Sequence, residues 1–213
     1  MKKFQKKDDR IKKVKIIRKG RSAKKWKAMN SFETSIDNYE SVLKEKEAKY
    51  TKIDAMSNTE YSDFMLKQVQ VDFPTAQISM SGLVFLVEHQ GTGLRPEKGR
   101  AISLHYTGTL RQDGSTFDSS RERNQPLNFN YKVNKMIPGF EEGIALVGVG
   151  GKIKLIIPYY QAYGKAGRKG AIPPYSDLIF DIEILGISAE TPEENHDGHN
   201  HDGHDHDGHD HNH

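Results

Sequence analysis

The sequence predicts an α+β protein in which a curved antiparallel β-sheet wraps one short helix, with further helices ahead of it. Three observations predict it. Between residues 79 and 188 several short segments alternate apolar and polar residues, separated by turns rich in Gly and Asp. A single short helical stretch, 138–146, lies among them. Before them, residues 31–73 carry apolar side chains at helical spacing.

Taken in order, Phe32, Ile36, Tyr39, Leu43, Lys46 and Tyr50 follow one helical stripe with charges between them. Asn30 with Glu33 three residues on resembles a capping box. Ser57 and Glu60 offer a second helix start, and Tyr61, Phe64, Met65, Gln68 and Val69 form its stripe. Pro74 ends that helix, because the residue before a proline is driven out of the helical region. Such a pair buries its stripe within the chain, on a client, or on a second copy as a homodimer through residues 31–73.

The strand segments are Leu83-Val84-Phe85-Leu86-Val87, Ala101-Ile102-Ser103-Leu104-His105-Tyr106, Leu127-Asn128-Phe129, residues 152–157 and residues 178–184. Their alternation suits a sheet buried on one face. Asp113-Gly114 and Gly148-Val149-Gly150-Gly151 mark turns.

The 213 residues accommodate one domain with extensions: a basic arm 1–30 expected to be disordered, helices 31–73, a core domain 79–188 and a tail 189–213 expected to be disordered. A mean hydropathy of -0.76 and 35% apolar residues place part of the chain outside any core. The absence of cysteine excludes disulfides, thiolate catalysis and Cys-type zinc sites. No apolar run follows the basic start and no segment is long enough to span a bilayer, so a cytoplasmic protein is expected, or a periplasmic one if an export signal has been removed.

The two ends are electrostatic opposites. Residues 1–30 hold 14 of the 32 Lys and Arg, against only Asp8 and Asp9, with Trp26 among the lysines. This arm is either a solvated tail or a clamp on a ribosome, RNA or another anionic partner. The tail carries eight of the ten histidines in Asp- and Gly-rich units: His196, His199, His201, His204, His206, His209, His211 and His213. Neutral imidazoles at that density can ligate Ni or Zn, and the alternative is a solvated polar tail.

The motifs with most information lie in the core domain. They are His105-Tyr106-Thr107-Gly108-Thr109-Leu110, Gly114-Ser115-Thr116-Phe117-Asp118-Ser119-Ser120-Arg121 and Met136-Ile137-Pro138-Gly139-Phe140-Glu141-Glu142-Gly143. Pro158, Ala162-Tyr163-Gly164, Ile172-Pro173-Pro174 and Leu178-Ile179-Phe180-Asp181 follow. In order and spacing this half of the chain resembles the FKBP-type peptidyl-prolyl cis-trans isomerase domain. The resemblance implies a pocket for proline. Its catalytic positions would be Tyr106, Phe117, Asp118, Tyr163 and Phe180, and Met136, Ile137, Phe140, Ile172 and Phe129 would bind substrate. Phe140 would form the floor, where many relatives have Trp, and Arg123 would hold the loop beside Asp118. Leu127, Arg168 and a segment before Tyr163 one residue longer than usual are departures from the pattern.

The implied reaction suits these residues. Rotation about an X-Pro bond needs neither nucleophile nor cofactor, only an environment that favours the twisted amide over both planar forms. The expectation is a foldase acting on proline-containing client polypeptides, with chaperone activity as an addition. The alternative is an FKBP-like binding module tethered by its basic arm.

Overall fold

The computed structural model describes the backbone over residues 28–188 and side chains from residue 35. The chain divides after Ala55 into two units. In the first, α1 spans Ala28–Asp54 and exposes Tyr39 and Val42. It starts ahead of Asn30, so Asn30 lies inside the helix rather than capping it; Ala28 and Met29 are strong helix formers and extend it backwards.

The second unit opens with α2, Asn58–Asp72. Its start is the expected capping box: the Ser57 hydroxyl accepts from the Glu60 N–H at 3.2 Å, and Glu60 Oε2 accepts from the Ser57 N–H at 2.8 Å. Phe73 and Pro74 close its far end. The buried face is Tyr61, Ser62, Met65 and Val69. Phe64, expected in the stripe, is exposed, and Ser62 takes the inward position beside Tyr61.

Seven strands follow: β1 Gln77–Ile78, β2 Val84–His89, β3 Ala101–Leu110, β4 Thr116–Ser119, β5 Leu127–Asn130, β6 Lys152–Ile157 and β7 Leu178–Ile187. They form one sheet in the order β1-β2-β6-β7-β3-β4, with β5 also paired to β3. Every pairing is antiparallel. Alternation along β3 buries Ile102, Leu104, Tyr106, Gly108 and Leu110 on one face. From β7, Leu178, Phe180, Ile182 and Ile184 are buried in the same core cluster. The helix α3, Pro138–Ile144, packs on β6 in this core, and a Cβ at Gly143 would sit 2.3 Å from Leu155 Cδ1. Only glycine lets the helix come so near.

The run Leu155-Ile156-Ile157 does not alternate because both faces of β6 are covered. Leu155 and Ile157 belong to the main core. Ile156 belongs to a second cluster with Val84, Ala76 and the α2 residues Met65 and Val69. The sheet therefore lies between α3 and α2.

Candidate active site

Four aromatic rings converge where β3, β4, β7 and α3 meet. Tyr106 and Phe140 stand edge to face at 6.1 Å, Phe140 and Phe180 at 5.2 Å, and Phe117 and Phe180 at 5.6 Å. Such tilted contacts suit the ring quadrupoles. Gly108 makes the cluster possible. It pairs with Phe180 across β7, and a Cβ there would lie 2.7 Å from Phe117 Cζ and 2.9 Å from Phe180 Cε1. The missing side chain is the space into which two rings fold.

The rings wall a cavity of about 410 Å³, a size that suits a small ligand or a short peptide segment. Its lining includes Tyr106, Phe117, Asp118, Met136, Ile137, Phe140, Tyr163 and Phe180, eight of the ten core-domain residues expected in the site. Ile172 and Phe129, also expected in the site, are buried in the main core at 3% and 7% exposure and are not among the residues that line this cavity. Leu127, two residues before Phe129 on the same strand face, takes the wall position instead. Ile172 contributes its backbone, its carbonyl accepting from the Arg168 N–H at 2.8 Å. Lys135, Pro138, Ala162 and Arg168 also line the cavity without having been expected there. Pro138 and Ala162 lay within the quoted motifs, and their adjacency to Ile137 and Tyr163 was the available signal.

One polar corner is ordered. The Tyr106 hydroxyl donates to Asp118 Oδ2 at 2.5 Å, and Arg123 pairs with Asp118 and also donates to the Tyr106 hydroxyl at 3.2 Å. Burial works against charge on Asp118, but the Tyr106 hydroxyl and the Arg123 guanidinium outweigh it and hold the carboxyl below its ordinary value. Burial, reinforced by Asp118, raises the Tyr106 hydroxyl. At neutral pH the pair is therefore a carboxylate and a neutral phenol. It orients a ring and is not poised to exchange a proton.

Two residues that line the cavity carry unused donors. Ile137 precedes α3 with an extended backbone, and among the described residues nothing accepts from its N–H. Tyr163 also lines the cavity, and among the described residues nothing pairs with its hydroxyl. The eight tail histidines and residues 1–27 of the arm, Trp26 among them, lie outside the described residues. No helix among the described residues is long and apolar enough to cross a membrane.

The comparisons with known proteins agree with this geometry. Residues 93–185 match the family model of the FKBP-type peptidyl-prolyl cis-trans isomerase. The chain is 46% identical over 107 residues to the FKBP-type peptidyl-prolyl cis-trans isomerase FkpA of Aeromonas hydrophila, covering 50% of this chain and 38% of that one. It is 47% identical over 92 residues to the peptidyl-prolyl cis-trans isomerase Fkbp12 of Drosophila melanogaster, covering 43% of this chain and 84% of that protein. The crystal structure of FkpA from Escherichia coli superposes with a TM-score of 0.53 at 34% identity, over 74% of this chain and 71% of that one. The match thus takes in well under half of the first relative and most of the second. On its motifs, its aromatic cavity and these relatives, the chain belongs to the FKBP-type peptidyl-prolyl cis-trans isomerase family.

Proposed function

We propose that this protein catalyses cis-trans isomerisation of X-Pro bonds in client polypeptides. The observation that carries the reading is the aromatic cavity with two unpartnered donors, the Ile137 N–H and the Tyr163 hydroxyl. Twisting an X-Pro amide is opposed by a barrier of about 18–20 kcal/mol from lost resonance. The two planar forms lie close in energy and exchange in roughly tens to hundreds of seconds unaided. A catalyst must therefore bind the twisted amide better than either planar form. The twisted carbonyl is less polar, so removing water and surrounding it with rings costs the transition state less than the ground state. Phe117, Phe140 and Phe180 provide that surrounding. Tyr163 and Ile137 donate to carbonyls flanking the bond and hold the peptide while it turns. Asp118, fixed by Arg123, keeps the Tyr106 ring in the wall. No proton changes hands, and the chemistry requires no cofactor.

A protease-coupled assay on an X-Pro tetrapeptide tests this. The wild type accelerates isomerisation, and Tyr163→Phe combined with Phe117→Ala lowers kcat/KM by about tenfold or more. Absence of acceleration, or undiminished activity in the double variant, overturns the reading.

The ends of the chain add further proposals that rest on composition. Fourteen basic residues in the first thirty support an electrostatic hold on RNA, a ribosome or another anionic surface. Equal, salt-insensitive RNA binding by the full chain and one starting at Asn30 would remove that role. Eight histidines in the tail support Ni or Zn binding. Unchanged metal stoichiometry in a chain ending at Ser188 contradicts it. The stripe on α1 supports homodimerisation, which sedimentation of the full chain tests.

A further inference from the structure

We propose that α2 and the loop after it, residues 57–82, form a strut that positions the cavity wall carrying Tyr163. The kinetic part of this proposal rests on the isomerase reading above.

The strut grips three consecutive residues. The Tyr61 hydroxyl donates to the Asp177 carboxylate, 3.0 and 2.9 Å from its two oxygens, and Asp177 Oδ1 accepts from the Tyr159 N–H at 3.0 Å. The Tyr61 ring also stands edge-on to Tyr159 at 5.2 Å. Ser62 hydrogen-bonds the hydroxyl of Tyr160, which lies 3.3 Å from the carbonyls of Asn58 and Ser81. Gln161 Nε2 donates to the Ser81 carbonyl at 2.6 Å and to its hydroxyl at 2.9 Å. Tyr159, Tyr160 and Gln161 form a single 3-10 turn. The next two residues, Ala162 and Tyr163, line the cavity. The Tyr159 carbonyl passes the position on, accepting from the Ala162 and Gly164 N–H groups at 3.1 and 2.8 Å.

Two cross-links brace the arrangement. Arg111 Nη1 reaches Asp177 Oδ2 at 3.3 Å while its Nη2 donates to Gln68 of α2 at 2.8 Å. The Ser81 hydroxyl donates to Glu142 of α3 at 2.5 Å, which links the strut to the helix that follows Ile137. The strut thus reaches the elements bearing both free donors.

Burial argues that these contacts do more than attach a helix. Tyr61, Ser62, Gln161 and Asp177 are at most 8% exposed. Apolar side chains would hold α2 to the sheet as well or better, because buried charge gains little net stability. Hydrogen bonds add direction, which apolar packing lacks. Direction matters where one hydroxyl must meet a moving carbonyl, since reacting groups must be held to within roughly 0.5 Å.

The test compares Tyr61→Phe and Ser62→Ala with the wild type in the full chain, alone and in a Tyr163→Phe background. Thermal melts select the variants that remain folded at the assay temperature. Each strut variant is expected to shift the amide NMR signals of Ala162, Tyr163 and Gly164 and to lower kcat/KM about three- to tenfold. In the Tyr163→Phe background the same changes are expected to cost less than about twofold, because the hydroxyl they position is gone. A deficit equally large in both backgrounds, or unmoved amide signals with unchanged kcat/KM, overturns the strut. If Tyr61→Phe unfolds, Ser62→Ala decides by the same criteria. If the wild type shows no isomerase activity, the functional reading falls and the amide signals alone judge the strut: displacement supports it and constancy overturns it.

Discussion

Gly108→Ala is the smallest change that should damage the aromatic cavity. The backbone tolerates alanine there, since Gly108 is absent from the positive-φ residues. The obstacle is space. The new Cβ would stand 2.7 and 3.0 Å from two atoms of Phe117 and 2.9 Å from Phe180, all tighter than the 3.4 Å of ordinary contact. Neither ring retreats freely, because Phe180 is packed against Phe140 at 5.2 Å and against Phe117 at 5.6 Å. Overpacking of this kind costs about 1–3 kcal/mol. For a unit of this size that corresponds to a fall in Tm of roughly 3–15 °C. The rings yield toward the cavity, so kcat/KM for an X-Pro peptide is expected to fall by about tenfold or more. Gly186→Ala, on β7, is the matched control, since a Cβ there meets nothing within 4 Å. Its stability is expected to rise by roughly 0.5 kcal/mol from the entropy of the unfolded chain. The pair is read by thermal melting and peptide isomerisation side by side. A Gly108→Ala protein that melts and turns over like Gly186→Ala would refute the packing argument.

Further outcomes follow from the polar groups. The folded-state pKa of Asp118 lies below its unfolded value, so its contribution is present above that unfolded value, near about 3.9. It is lost as pH falls through the folded value, so urea melts of wild type and Asp118→Asn should differ at pH 7 and converge in strong acid. The Asp118 side chain is 41% exposed, which limits the difference to less than about 1 kcal/mol. A difference that widened toward acid would contradict the assignment. Lys135 and Arg168 line the cavity, while its one acid, Asp118, is already paired with Arg123. Peptides with Glu beside proline should therefore gain about two- to fivefold in kcat/KM over Lys peptides at low salt, a preference lost in Lys135→Glu with Arg168→Glu. Removing the α2 cap with Ser57→Ala should lower stability by about 0.5–2 kcal/mol in denaturant melts.

Much of this was legible locally. The start and stop of α2 lay in Ser57, Glu60 and Pro74, because capping and proline sterics act within a few residues. Five strands and α3 showed through alternation and turn residues. Strands β1 and β4 did not, being two and four residues long with little pattern to read. Eight cavity residues were legible through the family motifs, and motifs alone do not say which side chain of a strand face meets the cavity. Phe129 and Leu127 share a strand face, so only the register of β5 against β3 decides which one meets the cavity. The partnership of Tyr61 with Asp177 spans 116 residues of sequence, and although Tyr61 lay in the expected stripe no local signal joins the two. Ser62 reads as a surface serine until the fold buries it.

An aromatic cavity with two free donors is the proposed means by which the barrier to prolyl rotation is lowered. Exchange NMR measures this directly, as the interconversion rate of the cis and trans signals of a short X-Pro peptide with a catalytic amount of the full chain. Exchange should grow in proportion to protein concentration, persist in EDTA, and collapse with Tyr163→Phe plus Phe117→Ala. Exchange no faster than in peptide alone, or equally fast with the double variant, would contradict it.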